Sequence, residues 1–515
     1  MGAAKKEKRV GSSRSGLHER CRTGNRLNRE EAHRQALYKA FESKDARFDG
    51  QVFVGVSSTG IYCRPVCPYM PKLDNCTFYE TAAEAEKAGY RPCLVCRPEI
   101  APGNSPVDAY ANLAQRAASL LKESCTSGDS LERLAGRLGY TDRHLRRAFQ
   151  RKFDVTPLEY LQTCRLQLAK SLLADTELPV AQVAMAAGFG SVRRFNDVFK
   201  RRYRLTPSDL RKRGRREASP EGTVTLRIGY RPPYRFEALL GFFRARMLQG
   251  VEVVGNDFYA RTVRIPLDSG GEATGWVRVS NDAERNALSV LMSESLLPAT
   301  SQVMARLRRQ FDTDCNPHAV YEGIASLNET VSGAAVVGTR LPGCFDGFET
   351  AVRAVLGQQV SVAAANKLAA RIVATCGIPI DTGIEGLERV FPTPDDILAL
   401  RPIEEALGEL GVIKARARTI AEVARLLACS ELDFNVGAVV SEQTERLLAV
   451  KGIGPWTANY LAMRVLGSPD AFLETDAGIK HALPGLSPSE RLRLAEQWRP
   501  WRSYATIALW NSLST

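Results

Sequence analysis

Leu448-Ala449-Val450-Lys451-Gly452-Ile453-Gly454-Pro455-Trp456-Thr457-Ala458 carries an apolar helix end through a G-x-G turn into a new helix. Glycines at such a turn let backbone N–H groups approach an anion without side-chain obstruction, and the following helix N-terminus favours negative charge. A DNA phosphate meets both conditions, whatever the base sequence. Gly452, Ile453, Gly454 and Thr457 are therefore the expected DNA contacts of this hairpin. Asp476 lies 22 residues beyond Gly454, in Phe472-Leu473-Glu474-Thr475-Asp476, just before a further helix. An aspartate there is most simply an N-cap, and one carboxylate can be both cap and catalyst.

The chain has 515 residues, several times the usual domain size, so two to four cores are expected and a disulfide-stapled scaffold is excluded. Apolar residues make up 44% and charged residues 25%, with mean hydropathy −0.20, an ordinary globular composition. No run approaches the roughly 18 apolar residues that a spanning helix needs, so no membrane partner is expected. Met1 to Arg22 is basic and Ser/Gly-rich without an apolar core, and residues 1–24 are expected to be a disordered tail rather than a signal peptide. The 12 cysteines then sit in a reducing compartment, where tight clusters read as metal or redox ligands. The expected location is the cytoplasm, on the nucleoid. The net charge of +13 is uneven: residues 1–220 hold 40 Lys/Arg against 24 Asp/Glu, and residues 221–515 hold 30 against 33. A basic front half predicts an electrostatic grip on a polyanion, with a different task behind it.

Composition shifts mark the boundaries. Ala101 to Pro106 reads as a linker, Arg211 to Gly222 as a charge run ending in Ser-Pro, and Leu341 to Gly347 as a softer break. Four segments follow, at 25–100, 105–212, 223–335 and 340–515. The second reads as helices throughout. The third mixes β-branched alternation at Thr223 to Ile228 and Trp276 to Val279 with a helix at Glu237 to Leu248, an α+β pattern. The fourth is mostly helical, with apolar residues at helical spacing through Phe348 to Ala374, Leu407 to Leu427 and Gln443 to Leu466.

Cys63, Cys67, Cys93 and Cys96 form C-x3-C, a gap of 25 residues, then C-x2-C. Two short-spaced pairs suit four-thiolate zinc coordination. A closed structural site is one reading; a thiolate-rich centre with a nucleophilic sulfur is the other. The stretch Phe53 to Glu99, with Ser58-Thr59-Gly60-Ile61-Tyr62-Cys63-Arg64-Pro65 and Gly89-Tyr90-Arg91-Pro92-Cys93, resembles the N-terminal domain of the Ada-type adaptive-response regulators. The resemblance implies a small zinc-bound α+β domain with one Zn(II) per chain, Cys63 as acceptor of a methyl group from a DNA methylphosphotriester, and Cys67, Cys93 and Cys96 as co-ligands. Cys76 falls outside the pattern and is expected to be a spare thiol.

An internal repeat occupies residues 130–212. Leu138-Gly139-Tyr140 leads to Phe149, Phe153 and Thr156-Pro157; Ala187-Gly188-Phe189 leads to Phe199, Tyr203 and Thr206-Pro207, the later landmarks offset by 50 residues. Asp142 to Phe153, with Arg143, His144, Arg146 and Arg147, and Ser191 to Arg202, with Arg193, Arg194 and Asn196, are candidate recognition helices. A solvated basic hairpin explains one copy. Two copies resemble the AraC-type DNA-binding domain, an all-α double helix-turn-helix.

The hairpin and Asp476 together resemble the helix-hairpin-helix, Gly/Pro-Asp superfamily of DNA glycosylases, and within it the AlkA type, 3-methyladenine DNA glycosylase II. Leu341-Pro342-Gly343-Cys344, Ala351 to Ser361, Trp498 to Ala505, Pro232-Pro233-Tyr234 and Leu240-Gly241-Phe242 carry that likeness across 223–515. It implies an α+β domain with a TATA-binding-protein-like sheet, then a helix-hairpin-helix domain. It also implies Asp476 as the catalytic carboxylate and Trp456, Tyr460, Trp510 and Phe242 as the base pocket, although aromatics at helical spacing also read as core packing. A cationic alkylated base favours such faces by about 0.5 to 2 kcal/mol per contact. Strand-cutting relatives have a lysine where Trp456 stands, so a monofunctional glycosylase is expected. No cysteine follows Cys429, so no iron-sulfur cluster is expected.

Departures from the pattern are Gln359, where the family has a leucine wedge, and Ala477-Gly478, usually Tyr-Leu, which predicts a roomier pocket. The Pro-Cys-His-Arg motif of O6-methylguanine acceptors is lacking, so no such repair is expected. The combined reading is a methyl-sensing transcription regulator fused to a glycosylase, with alkylated DNA, promoter DNA and RNA polymerase as partners. The alternative is a regulator whose glycosylase-like half only binds DNA.

Overall fold

A computed structural model describes residues 31–103, 113–127, 130–213, 219–267 and 270–513. The expected tail at 1–24, the linker residues Asn104 to Pro106 and part of the charge run at 214–218 lie outside the described residues. Among the described residues, no helix is long and apolar enough to cross a membrane. The fold is multidomain and mostly helical.

The cysteine-bearing unit is a four-stranded sheet of β1 (Phe53–Val56), β2 (Ile61–Cys63), β3 (Cys76–Tyr79) and β4 (Arg91–Pro92), in the order β3-β1-β2-β4, with helix α1 (Ala82–Lys87) against it. Gly60, at φ +64°, makes the turn between β1 and β2. The cysteines pack with Phe41 and Val54, and a second small cluster holds Phe53, Tyr62, Ala82, Ala85 and Ala101.

The helical unit runs α2 (Leu113–Glu123), α3 (Leu131–Arg137), α4 (Asp142–Phe153), α5 (Pro157–Asp175), α6 (Val180–Ala186), α7 (Val192–Tyr203) and α8 (Pro207–Arg213). The 50-residue repeat is real at the level of geometry. Thr141 caps α4 by accepting from His144 N–H, and Ser191 caps α7 by accepting from Arg194 N–H; each such cap contributes about 0.5 to 2 kcal/mol. Leu145, Phe149 and Phe153 are buried along α4, as are Phe195, Phe199 and Tyr203 along α7, and both helices end on a left-handed residue, Asp154 or Arg204. That periodicity buries one stripe and leaves the basic stripe in water.

Behind it lies a five-stranded antiparallel sheet of β5 (Thr223–Gly229), β6 (Glu252–Val254), β7 (Phe258–Pro266), β8 (Glu272–Asp282) and β9 (Ala287–Ser293), in the order β5-β9-β8-β7-β6. Helices α9 (Phe236–Ala245) and α10 (Thr300–Gln310) share a core with it through Phe236, Phe243, Val303 and Leu307. The C-terminal helices that form the hairpin region are α11 (Gly347–Leu356), α12 (Val362–Cys376), α13 (Lys414–Ala428), α14 (Val440–Ala449), α15 (Pro455–Arg464), α16 (Ala477–Ala482) and α17 (Arg502–Ser512). Core packing crosses the boundary expected between 335 and 340: Cys315, Val320, Ile324 and Leu327 pack with Trp498, Tyr504 and Leu509 rather than with the sheet.

A buried ionic junction ties three units together. Asp175, at the end of α5, accepts from both Arg97 terminal nitrogens at 2.7 Å and from Arg227 of β5 at 2.9 Å. Glu99 pairs with Arg97 and Lys170, and Lys170 also donates to the Cys93 carbonyl at 3.0 Å. Removing one member of such a network costs about 3 to 5 kcal/mol, because the rest is left uncompensated. The stretch expected to be a free linker begins as a docked strap, since Gly103 N–H donates to Asp314 and Ala101 is buried.

Asp312, under the C-terminal helices, has its carboxyl pushed up to about 7 by burial, against the lowering effect of Arg340 and of hydrogen bonds from Leu341 N–H and Tyr504 OH. An unfolded aspartate titrates near 3.9. Between about pH 4 and 7 the folded state therefore holds the extra proton, and the stability this gives is present at low pH and lost as pH rises to about 7. Leu341 N–H and Tyr504 OH both reach Oδ2, so an asparagine oxygen can accept both. Asp312→Asn is expected to gain in Tm over wild type from pH 5 to pH 8; a pH-independent difference in calorimetry would sink the assignment.

Candidate functional site

The G-x-G turn joins α14 to α15. Gly452 has φ +96°, and a β-carbon there would lie 2.2 Å from Thr419 Oγ1, so only glycine lets α13 approach the turn. Thr419 Oγ1 donates to the Lys451 carbonyl, and Gln358 Nε2 donates to the Gly452 carbonyl at 2.8 Å and to Thr457 Oγ1 at 3.1 Å. Carbonyls are thus satisfied from inside the protein. Among the described residues, no acceptor meets the Gly452 or Gly454 N–H groups. The Ile453 side chain is buried and its N–H is spent on the Val450 carbonyl, while Thr457 lines the groove beside the turn with its hydroxyl accepting from Gln358. Arg401, Lys414, Arg416 and Arg418 line the same groove. The signal for the last three in the sequence was the basic run Lys414-Ala415-Arg416-Ala417-Arg418, which the hairpin motif had overshadowed.

Beside the groove lies a cavity of about 760 Å³ that includes Asp476, Trp456, Tyr460, Trp510, Phe242 and Gln359 in its wall. Asp476 caps α16, accepting from Gly478 N–H at 2.8 Å and Ile479 N–H at 3.1 Å through Oδ1. Trp510 Nε1 donates to the same oxygen at 2.9 Å, and Trp456 Nε1 donates to Oδ2 at 3.0 Å. Two indoles from α15 and α17 therefore fix the carboxylate plane. Trp456 stacks on Tyr460, centroids 5.1 Å apart. A roomier pocket is expected at Ala477-Gly478; Ala477 is exposed. A β-carbon on Gly478 would lie 2.8 Å from Trp510 Cδ1, so the indole occupies the space that the missing side chain leaves. Trp510→Phe keeps an aromatic face, though a smaller one, and removes the donor; it is expected to lower kcat about tenfold with a much smaller change in KM. A rise in KM alone would show that the ring only stacks.

Three guanidiniums that the sequence reading missed also face this cavity: Arg246, Arg353 and Arg464. Arg353 is paired with Glu252 and Glu349. For the Tyr460 phenol, burial is the largest effect and raises its pKa, but Arg464, Arg246 and Arg353 together hold it below the ordinary value. No helical periodicity points to this cluster, because its members come from three segments. Gln359 sits in the α11–α12 turn at φ +55°, exposed beside Val360 and Val362.

The four expected cysteine sulfurs lie within 4.8 Å of one another and all are buried. Tetrahedral Zn–S bonds of about 2.3 Å need sulfurs roughly 3.8 Å apart, so the residues fit that ion. Arg64 N–H donates to Cys96 Sγ and Val95 N–H to Cys93 Sγ, each at 3.4 Å. Cys63 and Cys67 have no such bond among those of the described residues. Cys76 Sγ instead donates to the Lys72 carbonyl, apart from the four. On the recognition helices Arg143, Arg146, Arg147, Arg193, Arg194 and Asn196 are all exposed, with Arg146 held by Asp142 at 2.9 Å.

Family models match in chain order. They are described as the metal binding domain of Ada (residues 36–99), a helix-turn-helix domain (134–213), the AlkA N-terminal domain (225–346) and the HhH-GPD superfamily base excision DNA repair protein (352–498). A Mycobacterium tuberculosis protein named probable bifunctional transcriptional activator/DNA repair enzyme AlkA is 39% identical over 491 residues, covering 93% of this chain and 96% of its own. DNA-3-methyladenine glycosylase 2 of Escherichia coli is 38% identical over 283 residues, 55% of this chain and 95% of its own. Among solved structures, 3-methyladenine DNA-glycosylase from Archaeoglobus fulgidus aligns with TM-score 0.43 and 24% identity, over 55% of this chain and 96% of its own.

Proposed function

Since the chain belongs to the family of bifunctional transcriptional activator/DNA repair enzymes of the AlkA type, we propose that it excises alkylated purines from DNA and accepts methyl groups from backbone methylphosphotriesters to regulate transcription. The observation that carries the first half is Asp476, clamped by two indole N–H groups at the wall of an aromatic cavity beside the phosphate-binding turn. The Gly452 and Gly454 N–H groups, with Lys414 and Arg416, would hold the backbone while the damaged nucleotide is flipped out. Gln359 would fill the gap it leaves in the stack. Asp476 stabilises the oxocarbenium that develops as the glycosidic bond breaks, and a cationic purine is already a good leaving group. Trp456 offers no amine, so water completes the reaction and the strand stays intact.

For the second half, Cys63, Cys67, Cys93 and Cys96 would hold one Zn(II), which keeps sulfur as thiolate at neutral pH. The Cys63 sulfur attacks the methyl carbon; an S–C bond forms, the O–C bond breaks, and the phosphodiester oxyanion leaves. Loss of one thiolate charge eases repulsion from DNA phosphates and strengthens promoter binding through the exposed arginines of α4 and α7. Contact with RNA polymerase would convert that binding into activation.

The test uses the full chain on methylated duplex DNA. The expected result is free methylpurine in solution, an unbroken strand, and one methyl group on Cys63 by mass spectrometry. Bound DNA with neither product would leave only a DNA-binding protein.

A further inference from the structure

Gln359 stands where two hollows of the hairpin half meet, since it lines both the groove of the G-x-G turn and the cavity that holds Asp476. Its neighbours are fastened. The Gln358 side chain reaches the Gly452 carbonyl and Thr457 Oγ1, the Gln358 carbonyl accepts from Arg416, and Ser361 caps α12 by accepting from Ala364 N–H at 3.2 Å. Gln359 itself is exposed, and among the described residues no hydrogen bond engages its amide. Its φ of +55° is a conformation that residues other than glycine rarely adopt, and the pinned turn around it holds it there. An unengaged amide is thus presented from a rigid turn, at the boundary between phosphate groove and base cavity.

A purine that leaves the duplex leaves its pyrimidine partner behind with a bare pairing edge. Once a side chain fills the gap and displaces water, an unmet polar edge costs free energy. An apolar plug occupies the space and leaves that edge unmet. A glutamine amide has an accepting oxygen and two N–H donors, so it can meet thymine by accepting from N3–H and donating to a ring carbonyl. Turned over, it can meet cytosine by donating to N3 and accepting from the exocyclic amine.

We infer that Gln359 is a specificity-determining residue that pairs with the pyrimidine left opposite the flipped base, so that excision depends on the base across from the lesion. These bonds exist only while the lesion is out of the stack, so they stabilise the extrahelical state and not the intact duplex. One or two of them raise its population on the order of fivefold to tenfold. Val360 and Val362, both exposed beside Gln359, supply the apolar contact with neighbouring bases that an amide lacks. This inference rests on the excision activity proposed above.

The test is a double-substitution cycle on the full-length protein. Single-turnover release of 7-methylguanine is measured from duplexes with either thymine or 2,4-difluorotoluene opposite the lesion, the second being a thymine isostere that pairs too weakly to hold the amide. Wild type is compared with Gln359→Leu and with Gln359→Met, which keeps the length of the side chain and removes the amide. How firmly each partner holds the lesion in the stack is the same for every protein and cancels from the cycle. Loss of the amide is expected to slow release opposite thymine by about threefold or more beyond its effect opposite the isostere. If the leucine variant fails to fold, the methionine variant decides. A smaller coupling in folded variants, an equal fall opposite both partners included, would make Gln359 a space-filling plug and overturn the inference while leaving excision intact. No release opposite either partner by wild type would instead remove the excision activity itself, and this inference with it.

Discussion

Asp476→Asn is expected to abolish base release, lowering kcat by about 10²- to 10³-fold or more while duplex binding stays within about twofold. The carboxylate stabilises positive charge that exists only as the glycosidic bond breaks, so its loss falls on kcat and leaves ground-state binding untouched. The hydrogen bonds sharpen the expectation. Oδ1 takes three donors, from Gly478, Ile479 and Trp510, while Oδ2 takes Trp456. An asparagine keeps its oxygen on the crowded side, so α16 stays capped and the fold survives. Its amide nitrogen then meets the Trp456 N–H donor head on and carries no negative charge. Single-turnover release from methylated duplex, with binding measured in parallel, checks this; an active Asp476→Asn protein would mean that another group stabilises the transition state.

Stripping the metal is expected to unfold the cysteine-bearing unit and leave excision running. Its core is two small clusters, one of them made largely of the cysteines, and structural zinc supplies about 10 to 16 kcal/mol of apparent folding free energy in small units of this kind. Residues 31–103 contribute nothing to the wall of the Asp476 cavity, so base release should persist. Chelation, or Cys67→Ser, should therefore make residues 31–103 protease-sensitive and end methyl acceptance, with base release within about threefold of wild type. Cys63→Ala separates the two roles of the cluster: methyl acceptance is lost outright, whereas Cys76→Ala leaves it unchanged. Methyl acceptance surviving in Cys63→Ala would assign the acceptor to another sulfur.

Much of this was legible in one dimension because the chemistry is local. The two cysteine pairs bring their sulfurs together with their own turns, and Sγ atoms within 4.8 Å follow once β2 and β4 pair. The recognition helices lie within one residue of where the sequence puts them, since Thr141 and Ser191 cap the residues beside them. Asp476 as an N-cap was equally local. Motif membership does not reveal which way a side chain faces: the Ile453 side chain is turned into the core, and the Thr457 hydroxyl accepts from Gln358, 99 residues away. The Gly478 departure misled because an absent side chain was read as empty space, while a tryptophan 32 positions further on had filled it.

The sequence by itself determined the order of the units, the two close cysteine pairs, the paired helix-turn-helix and Asp476 as a helix cap, because each rests on residues close together in the chain. Only the tertiary structure decided how Asp476 is held and what shares its cavity. Trp456, Trp510, Phe242, Arg246 and Arg464 arrive from α9, α15 and α17, whose packing is set by nondirectional burial over the whole C-terminal core. The same holds for the junction of Arg97, Glu99, Lys170, Asp175 and Arg227: five charged residues that read singly as solvated surface become a buried network when three units close over them.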